Sequence, residues 1–330
     1  MISSDSIVAL SSGRLPAGIA VIRISGPKSR FVVETIAGRV KDRVATLRKL
    51  RAPDKTVLDS GLVVFFPGPD SFTGEDVAEF HIHGGRAIRE ALFCALSALG
   101  LRPAEPGEFS RRAVENGKLD LTRAEAVADL VDAETPAQLR QALRQHDGAL
   151  ANLYEGWRTV LIAALGRAEA AIDFSDDGVG ETEFAAAKAT VSEIIEQIQS
   201  HMDDAGRGEN LREGLRLTIL GPPNAGKSSL INALARRDIA IVSDTPGTTR
   251  DVIEARLDLG GYLLLIADTA GVRDTKEPIE AEGVRRALIH AAGGMTLLLL
   301  DGAAQNPRNG LRKHPGRRRL DAGTAPRVRQ

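Results

Sequence analysis

The sequence predicts a multidomain protein of α/β plus α class: an N-terminal mixed α/β domain, a helical domain, and an incomplete doubly wound α/β domain of the P-loop kind. Three observations predict it. Short apolar runs punctuated by Gly and Pro fill roughly the first 118 of the 330 residues. From 119 to about 210 the chain turns to Ala, Glu, Leu, Gln and Arg, with apolar positions at helical period. Gly221-Pro-Pro-Asn-Ala-Gly-Lys-Ser228 then stands between the apolar run Leu215–Leu220 and a helix-compatible stretch, 229–236. The expected domains are 1–118, 119–210, 211–301, and a tail, 302–330.

In the first domain, 18–26 is strand-like and bounded by glycines. A second strand, 61–66, ends at Pro67-Gly-Pro69. A third, 77–82, closes at Gly84-Gly85. Ile88, Leu92, Ala95 and Leu99 then recur at helical spacing, which predicts a helix over 86–99. In the second domain the period predicts long antiparallel helices over 122–139, 141–171 and 183–202. The acidic, glycine-bearing segment 173–180 breaks the last two. The glycine-rich, charged segment 205–214 reads as a linker.

The third domain opens with a strand at 215–220. Strands 251–259 and 262–267 flank Gly260-Gly261, a hairpin signal. A helix is expected over 280–291 and a buried parallel strand over 295–300. The tail has no apolar periodicity. Arg308, Arg312, Lys313, Arg317, Arg318, Arg319, Arg327 and Arg329 face one acid, Asp321. Either an RNA-touching arm or a disordered or out-of-frame end fits that composition.

Net charge is −1, so no global field draws the chain to nucleic acid or membrane. The single cysteine, Cys94, excludes an internal disulfide and reads as a buried structural thiol. No apolar run approaches the roughly 18 residues of a membrane span, and residues 1–12 lack a secretory pattern. The expectation is a soluble, cytoplasmic protein. His81 and His83 share a strand face, but the sequence places no third ligand beside them, so packing or hydrogen bonding is expected rather than metal.

The chemistry concentrates after residue 220. Strand, glycine-rich loop and helix form the context of a phosphate-binding loop, whose amides and helix N-terminus favour anionic oxygens. Lys227 is placed to reach the β and γ phosphates, and the Ser228 hydroxyl to bind Mg²⁺. Asp268-Thr-Ala-Gly271 follows an apolar strand about 40 residues later. Its aspartate suits Mg²⁺ through water, and the Gly271 amide suits the γ-phosphate. Between them lies Val242-Ser-Asp-Thr-Pro-Gly-Thr-Thr-Arg-Asp251, where Thr249 is the candidate to complete the Mg²⁺ shell. Val272 occupies the position where Ras-like switches carry a water-orienting glutamine. Another group must then orient water. Glu280 and Glu282 are candidates, although acids also suit a solvated helix start.

Taken together, the phosphate motifs and Pro246-Gly-Thr-Thr-Arg-Asp251 resemble those of the MnmE (TrmE) family of tRNA modification GTPases. Ile22-Arg-Ile-Ser-Gly26, Phe72-Thr-Gly-Glu-Asp76, His83-Gly-Gly85, Pro106-Gly-Glu-Phe109 and Asn116-Gly-Lys-Leu-Asp120 are similar to that family's N-terminal signatures. The resemblance covers roughly residues 1–301. It implies a tetrahydrofolate-binding and dimerisation domain over 1–118, with Arg23, Glu79 and Lys118 on 5-formyl- or 5,10-methylene-tetrahydrofolate. It implies the first half of a helical domain over 119–210 and an inserted G domain over 211–301.

The implied GTP site comprises Asn224, Ala225, Gly226, Lys227, Ser228 and Ser229; Ser243, Asp244, Thr245, Pro246, Gly247, Thr248 and Thr249; and Asp268, Thr269, Ala270 and Gly271. Ser228 and Thr249 would bind Mg²⁺. Asn224, Ser243, Thr245 and Thr248 would bind K⁺, which in the family replaces an arginine finger. Glu280 aligns with the family's water-orienting glutamate and, with Lys227, is the expected catalytic residue. The implied partners are a second copy of the chain, the FAD-dependent MnmG in a heterotetramer, and tRNA, whose wobble uridine receives an aminomethyl or carboxymethylaminomethyl group.

The chain departs from the family pattern in four ways. It has no Asn-Lys-x-Asp motif to read guanine, no remaining strands of the G domain, no returning half of the helical domain, and no terminal Cys-x-Gly-Lys. The expectation is a truncated or frame-shifted chain, inactive in tRNA modification. The alternative reading is a nucleotide- and folate-binding fragment without turnover.

Overall fold

The computed structural model describes residues 5–173, 180–203, 207–220, 229–231, 253–267 and 295–298. These residues divide between two compact units.

The first unit holds a six-stranded sheet with three helices and, beyond them, most of the helical part of the chain. Its strands are β1 (Ile7–Leu10), β2 (Ala17–Ser25), β3 (Thr46–Arg51), β4 (Val57–Phe66), β5 (Val77–Gly84) and β6 (Arg102–Pro103), in the order β3-β4-β5-β2-β1-β6. All neighbours are antiparallel except β1 and β6. Helices α1 (Ser29–Ala37), α2 (Arg86–Ala98) and α3 (Glu108–Glu115) complete it. Alternation decides the faces. Ala20, Ile22 and Ile24 of β2 and Ala78, Phe80 and Ile82 of β5 are buried in one core with Val32, Val33 and Ile36 of α1 and Leu92 and Leu96 of α2. The intervening residues point the other way. Leu47, Leu62, His81 and Val21 are successive cross-strand partners on that second face, where Leu47 and Ile19 are 64 % and 66 % exposed.

The sequence located β2, β4, β5 and α2 but not β1, α1, β3, β6 or α3, which are short or carry mixed polarity. Cys94 is exposed rather than buried. It lies on the side of α2 turned away from Leu92, Ala95 and Leu96, which face the core.

The helical part of the chain is more broken than its period predicts. Helix α4 (Leu121–Asp132) is N-capped by Asp120, whose side chain accepts from the Arg123 amide at 2.9 Å. The helix expected over 122–139 stops short of Pro136, because the residue before proline is driven out of the α region. Proline then opens α5 (Pro136–His146). The helix expected over 141–171 is divided at Gly148, whose φ of 94° favours glycine. Beyond it, α6 (Ala149–Asp173) and α7 (Gly180–Met202) pack antiparallel. Trp157, early in α6, donates to Gln197, late in α7, at 3.0 Å. Residues 174–179 of the expected break lie outside the described residues.

The second unit carries a four-stranded sheet. The expected linker contains a short helix, α8 (Arg207–Glu213). Strands β7 (Leu215–Leu220), β8 (Ile253–Leu259), β9 (Tyr262–Ala267) and β10 (Met295–Leu298) follow in the order β10-β7-β9-β8. The neighbours β10, β7 and β9 are parallel, and β8 is antiparallel to β9. The hairpin turn at Gly260-Gly261 has φ of 64° and 93°, the left-handed pair that matches strand twist. Ile219, Leu257, Leu264 and Ile266 form its core, with Leu230 and Ile231 packed against them. The parallel arrangement agrees with the expected doubly wound class.

Candidate functional site

Arg23 and Glu79 are cross-strand partners on β2 and β5, on the sheet face away from the core. The Arg23 guanidinium donates from Nε and Nη2 to Glu79 Oε1 at 3.0 and 2.9 Å. Glu79 Oε2 lies 3.2 Å from His81 Nε2. Two rings flank the guanidinium: Phe72 at 5.5 Å and Phe109 at 5.8 Å from ring centroid to Cζ. A planar cation between aromatic rings is a platform for stacking a flat heterocycle. Arg23 occupies both acceptor sites of Glu79 Oε1, whereas Oε2, which meets only His81, retains a lone pair for a ligand N–H.

Lys118 touches the loop that carries Phe72. A Cβ added at Gly74 would stand 3.3 Å from Lys118 Cγ and 3.0 Å from Asn116 Cβ. Gly74 has a φ of 78°, so glycine meets both a steric and a conformational demand there. The Asn116 side chain donates to Thr73 O at 2.7 Å and fixes the loop to the segment bearing Lys118. The Lys118 ammonium is 3.9 Å from Asp70, itself 82 % exposed, and so remains loosely paired.

Beneath these rings lies a buried ionic cluster that the sequence did not disclose. Arg112 of α3 is only 2 % exposed and pairs with Asp5 at 2.7 Å, Glu108 at 3.0 Å and Glu75 at 3.2 Å. Arg102 pairs with Glu108 at 2.6 Å and with Asp5 at 2.6 Å. The Arg102 hydrogen bonds hold the Glu108 carboxyl down at about 2, against the opposing effect of burial. Glu75 also accepts from Ser25 at 2.7 Å, and Ser25 lies 2.7 Å from the Thr73 hydroxyl. The cluster thus ties the loop that presents Phe72 to the first turn of α3, which presents Phe109. The only sequence signal for it was the presence of Glu75 and Glu108 within the two quoted signatures.

His83 pairs with Asp59 at 2.8 Å through Nδ1, and its backbone amide donates to the same carboxylate at 2.8 Å. Among the described residues no group of three His, Cys, Asp or Glu side chains is placed to hold a metal ion. No helix among them is long and apolar enough to cross a membrane.

For the nucleotide motifs the structure supplies the frame. β7 and β9 are adjacent and parallel, with Leu217 opposite Ile266 and Thr218 opposite Ala267. The loop that starts at Gly221 and the motif that starts at Asp268 therefore leave the sheet at the same, C-terminal edge. That edge is where doubly wound sheets bind ligands. Ser229 begins the helical segment 229–231, which packs back on the core through Leu230 and Ile231. Of the expected nucleotide and metal residues only Ser229 falls among the described ones. Asn224 to Ser228, Ser243 to Thr249, Asp268 to Gly271 and Glu280 lie outside them, as do the tail and the expected helix 280–291.

Comparison with known proteins bears on both sites. Residues 6–118 match a family model described as the GTP-binding protein TrmE N-terminus, and residues 121–314 match the MnmE helical domain. The second match runs past Asp301, where the motif-based resemblance ended. The tRNA modification GTPase MnmE of Mesorhizobium japonicum is 57 % identical over 308 residues, covering 91 % of this chain and 69 % of the relative. That of Rhodospirillum rubrum is 53 % identical over 318 residues, covering 92 % and 70 %. That of Caulobacter vibrioides is 50 % identical over 301 residues, covering 91 % and 67 %. With both family models matched in order and identity at this level across nine-tenths of its length, the chain belongs to the MnmE (TrmE) family.

Proposed function

We propose that the chain is a GTP-binding and GTP-hydrolysing component of tRNA wobble-uridine modification that uses a tetrahydrofolate one-carbon donor. The observation that carries the nucleotide half is the register of β7 and β9, whose neighbouring C-terminal ends precede the phosphate loop and Asp268 in sequence. In this reading Lys227 and the loop amides hold the β and γ phosphates. The hydroxyls of Ser228 and Thr249 are hard oxygen donors suited to Mg²⁺. Oxygen donors of Asn224, Ser243, Thr245 and Thr248 suit K⁺, and Glu280 orients the attacking water in place of the glutamine that Val272 displaces. Bound Mg²⁺ and K⁺ would neutralise charge developing on the phosphates.

The folate half rests on the Arg23–Glu79 pair between Phe72 and Phe109. Glu79 accepts from pterin N–H groups, Arg23 holds Glu79 and stacks against the ring, and Lys118 pairs with the folate carboxylate. When bound, the folate supplies the one-carbon unit. The uncovered sheet face with Ile19, Leu47 and Leu62 supports homodimerisation. Partnership with the FAD-dependent MnmG, action on tRNA and a cytoplasmic site of work complete the proposal.

Displacement of a fluorescent nucleotide by GTP and the rate of hydrolysis test the first half: GTP displaces the probe, and hydrolysis is faster in K⁺ than in Na⁺. No displacement by GTP, or equal rates in the two salts, refutes that half. Titration with 5-formyl-tetrahydrofolate tests the second.

A further inference from the structure

The sheet edge formed by β3 concentrates positive charge that neither site uses. Residues 38–56 hold seven basic residues and two acidic ones, in a chain of net charge −1. Arg39, Lys41, Arg43, Lys49 and Lys55 are exposed, and Arg48 and Arg51 half-buried. Of the two acids, Asp42 is already paired with Arg30 of α1 at 2.8 Å. Asp54 is turned onto the Thr56 amide at 2.9 Å. Among the described residues, Lys41, Lys49 and Lys55 have no carboxylate partner. Arg48 and Arg51 donate instead to the carbonyls of Arg39 and Lys55, both at 3.0 Å.

Edge protection alone explains one or two charges on such a strand. It does not explain the turns. Arg43 and Lys55, at the two ends of β3, have φ of 59° and 73° and are the non-glycine residues with positive φ among those described. That conformation favours glycine or asparagine. Here long cations occupy both positions: the Arg43 guanidinium donates to the Asp70 carbonyl and lies 6.0 Å from the Phe66 ring, while Lys55 is exposed. The row is also extended. Six residues of strand span about 20 Å, which suits a chain of phosphates rather than one phosphate, for which donors would converge.

We propose that the β3 edge, from Arg39 to Lys55, is a phosphate-binding strip for the backbone of an RNA, an inference that rests on tRNA being the substrate. The strip reads charge and spacing and carries no base-specific contact. Each lysine that meets a phosphate adds to the salt dependence of binding by releasing counterions.

The test is binding of an unmodified tRNA transcript to the full chain, by fluorescence anisotropy across a salt series. The triple variant Lys41→Gln/Lys49→Gln/Lys55→Gln should weaken binding at least tenfold and make the slope of log affinity against log salt shallower by about 2 to 3. Lys41→Arg/Lys49→Arg/Lys55→Arg should keep affinity and slope, which separates charge from fold. The comparison variant Arg317→Gln/Arg318→Gln/Arg319→Gln, in the basic tail, should leave the slope unchanged. Full affinity and slope in the lysine-to-glutamine variant, or a loss confined to the tail variant, overturns the strip while leaving tRNA as the substrate. An intact chain that does not bind the transcript at all overturns both.

Discussion

Glu108→Gln is the substitution whose consequences the structure specifies most fully. The glutamine keeps the volume and one acceptor for the Glu105 amide, which Glu108 now accepts at 2.8 Å. It removes the charge that Arg102 and Arg112 meet at 2.6 and 3.0 Å. The carboxyl sits at about 2 against an ordinary 4.5, chiefly through Arg102. Its stabilisation is therefore complete above about pH 4.5 and is lost as the pH falls toward 2. At 1.36 kcal/mol per unit the shift corresponds to about 3 kcal/mol. Arg102 is 41 % exposed, and solvent screening lowers the expected loss at pH 7 to about 2 kcal/mol. Between pH 7 and pH 3.5 the gap between the native chain and the variant should narrow by about 1 kcal/mol.

The chain's one tryptophan, Trp157, reports α6 and not this sheet. The assay is therefore hydrogen exchange of β2 and β5 amides, which gives the local opening free energy. A gap below about 0.5 kcal/mol at pH 7, or one that does not change with pH, refutes the assignment of Glu108 as a charged member of the cluster.

Three further outcomes follow from the same geometry. Arg23→Ala should remove most of the affinity for 5-formyl-tetrahydrofolate, and unchanged affinity would rule out the site. Phe109→Leu, which removes one ring from the Arg23 guanidinium, should weaken folate binding roughly three- to tenfold, read by the same titration; an unaltered constant would deny the ring a role. Gly61→Ala should destabilise the sheet by about 3 kcal/mol or more, because its Cβ would collide with the His81 carbonyl oxygen; native exchange protection in β4 and β5 would contradict the close approach.

The elements legible in the sequence are those with a strong local signal. β2, β5 and α2 each alternate or recur over eight residues or more, and Gly260-Gly261 announces the β8–β9 turn by its left-handed requirement. Pro136 and Gly148 show the limit of period alone. The apolar spacing runs through both, yet proline and a positive φ divide the helices there. Cys94 was misjudged because an apolar segment does not say which face of its helix meets the core. The linker expected over 205–214 contains α8, where local composition was overridden.

The phosphate loop, the Asp268 motif and the family are readable from sequence because backbone-binding chemistry demands particular residues at fixed spacing. The same holds for Arg23, Glu79 and Lys118 as candidates. Only the tertiary structure decided that Arg23 lies opposite Glu79 between two phenyl rings, since that meeting joins residues 23, 72, 79 and 109 through strand register. Only it disclosed that Arg112 is buried among carboxylates drawn from Asp5, Glu75 and Glu108. A lone arginine in a sequence carries no mark of burial. Glu108 is one helical turn away, but Asp5 and Glu75 are remote along the chain, and the packing that brings them to α3 is a property of the fold rather than of any local segment.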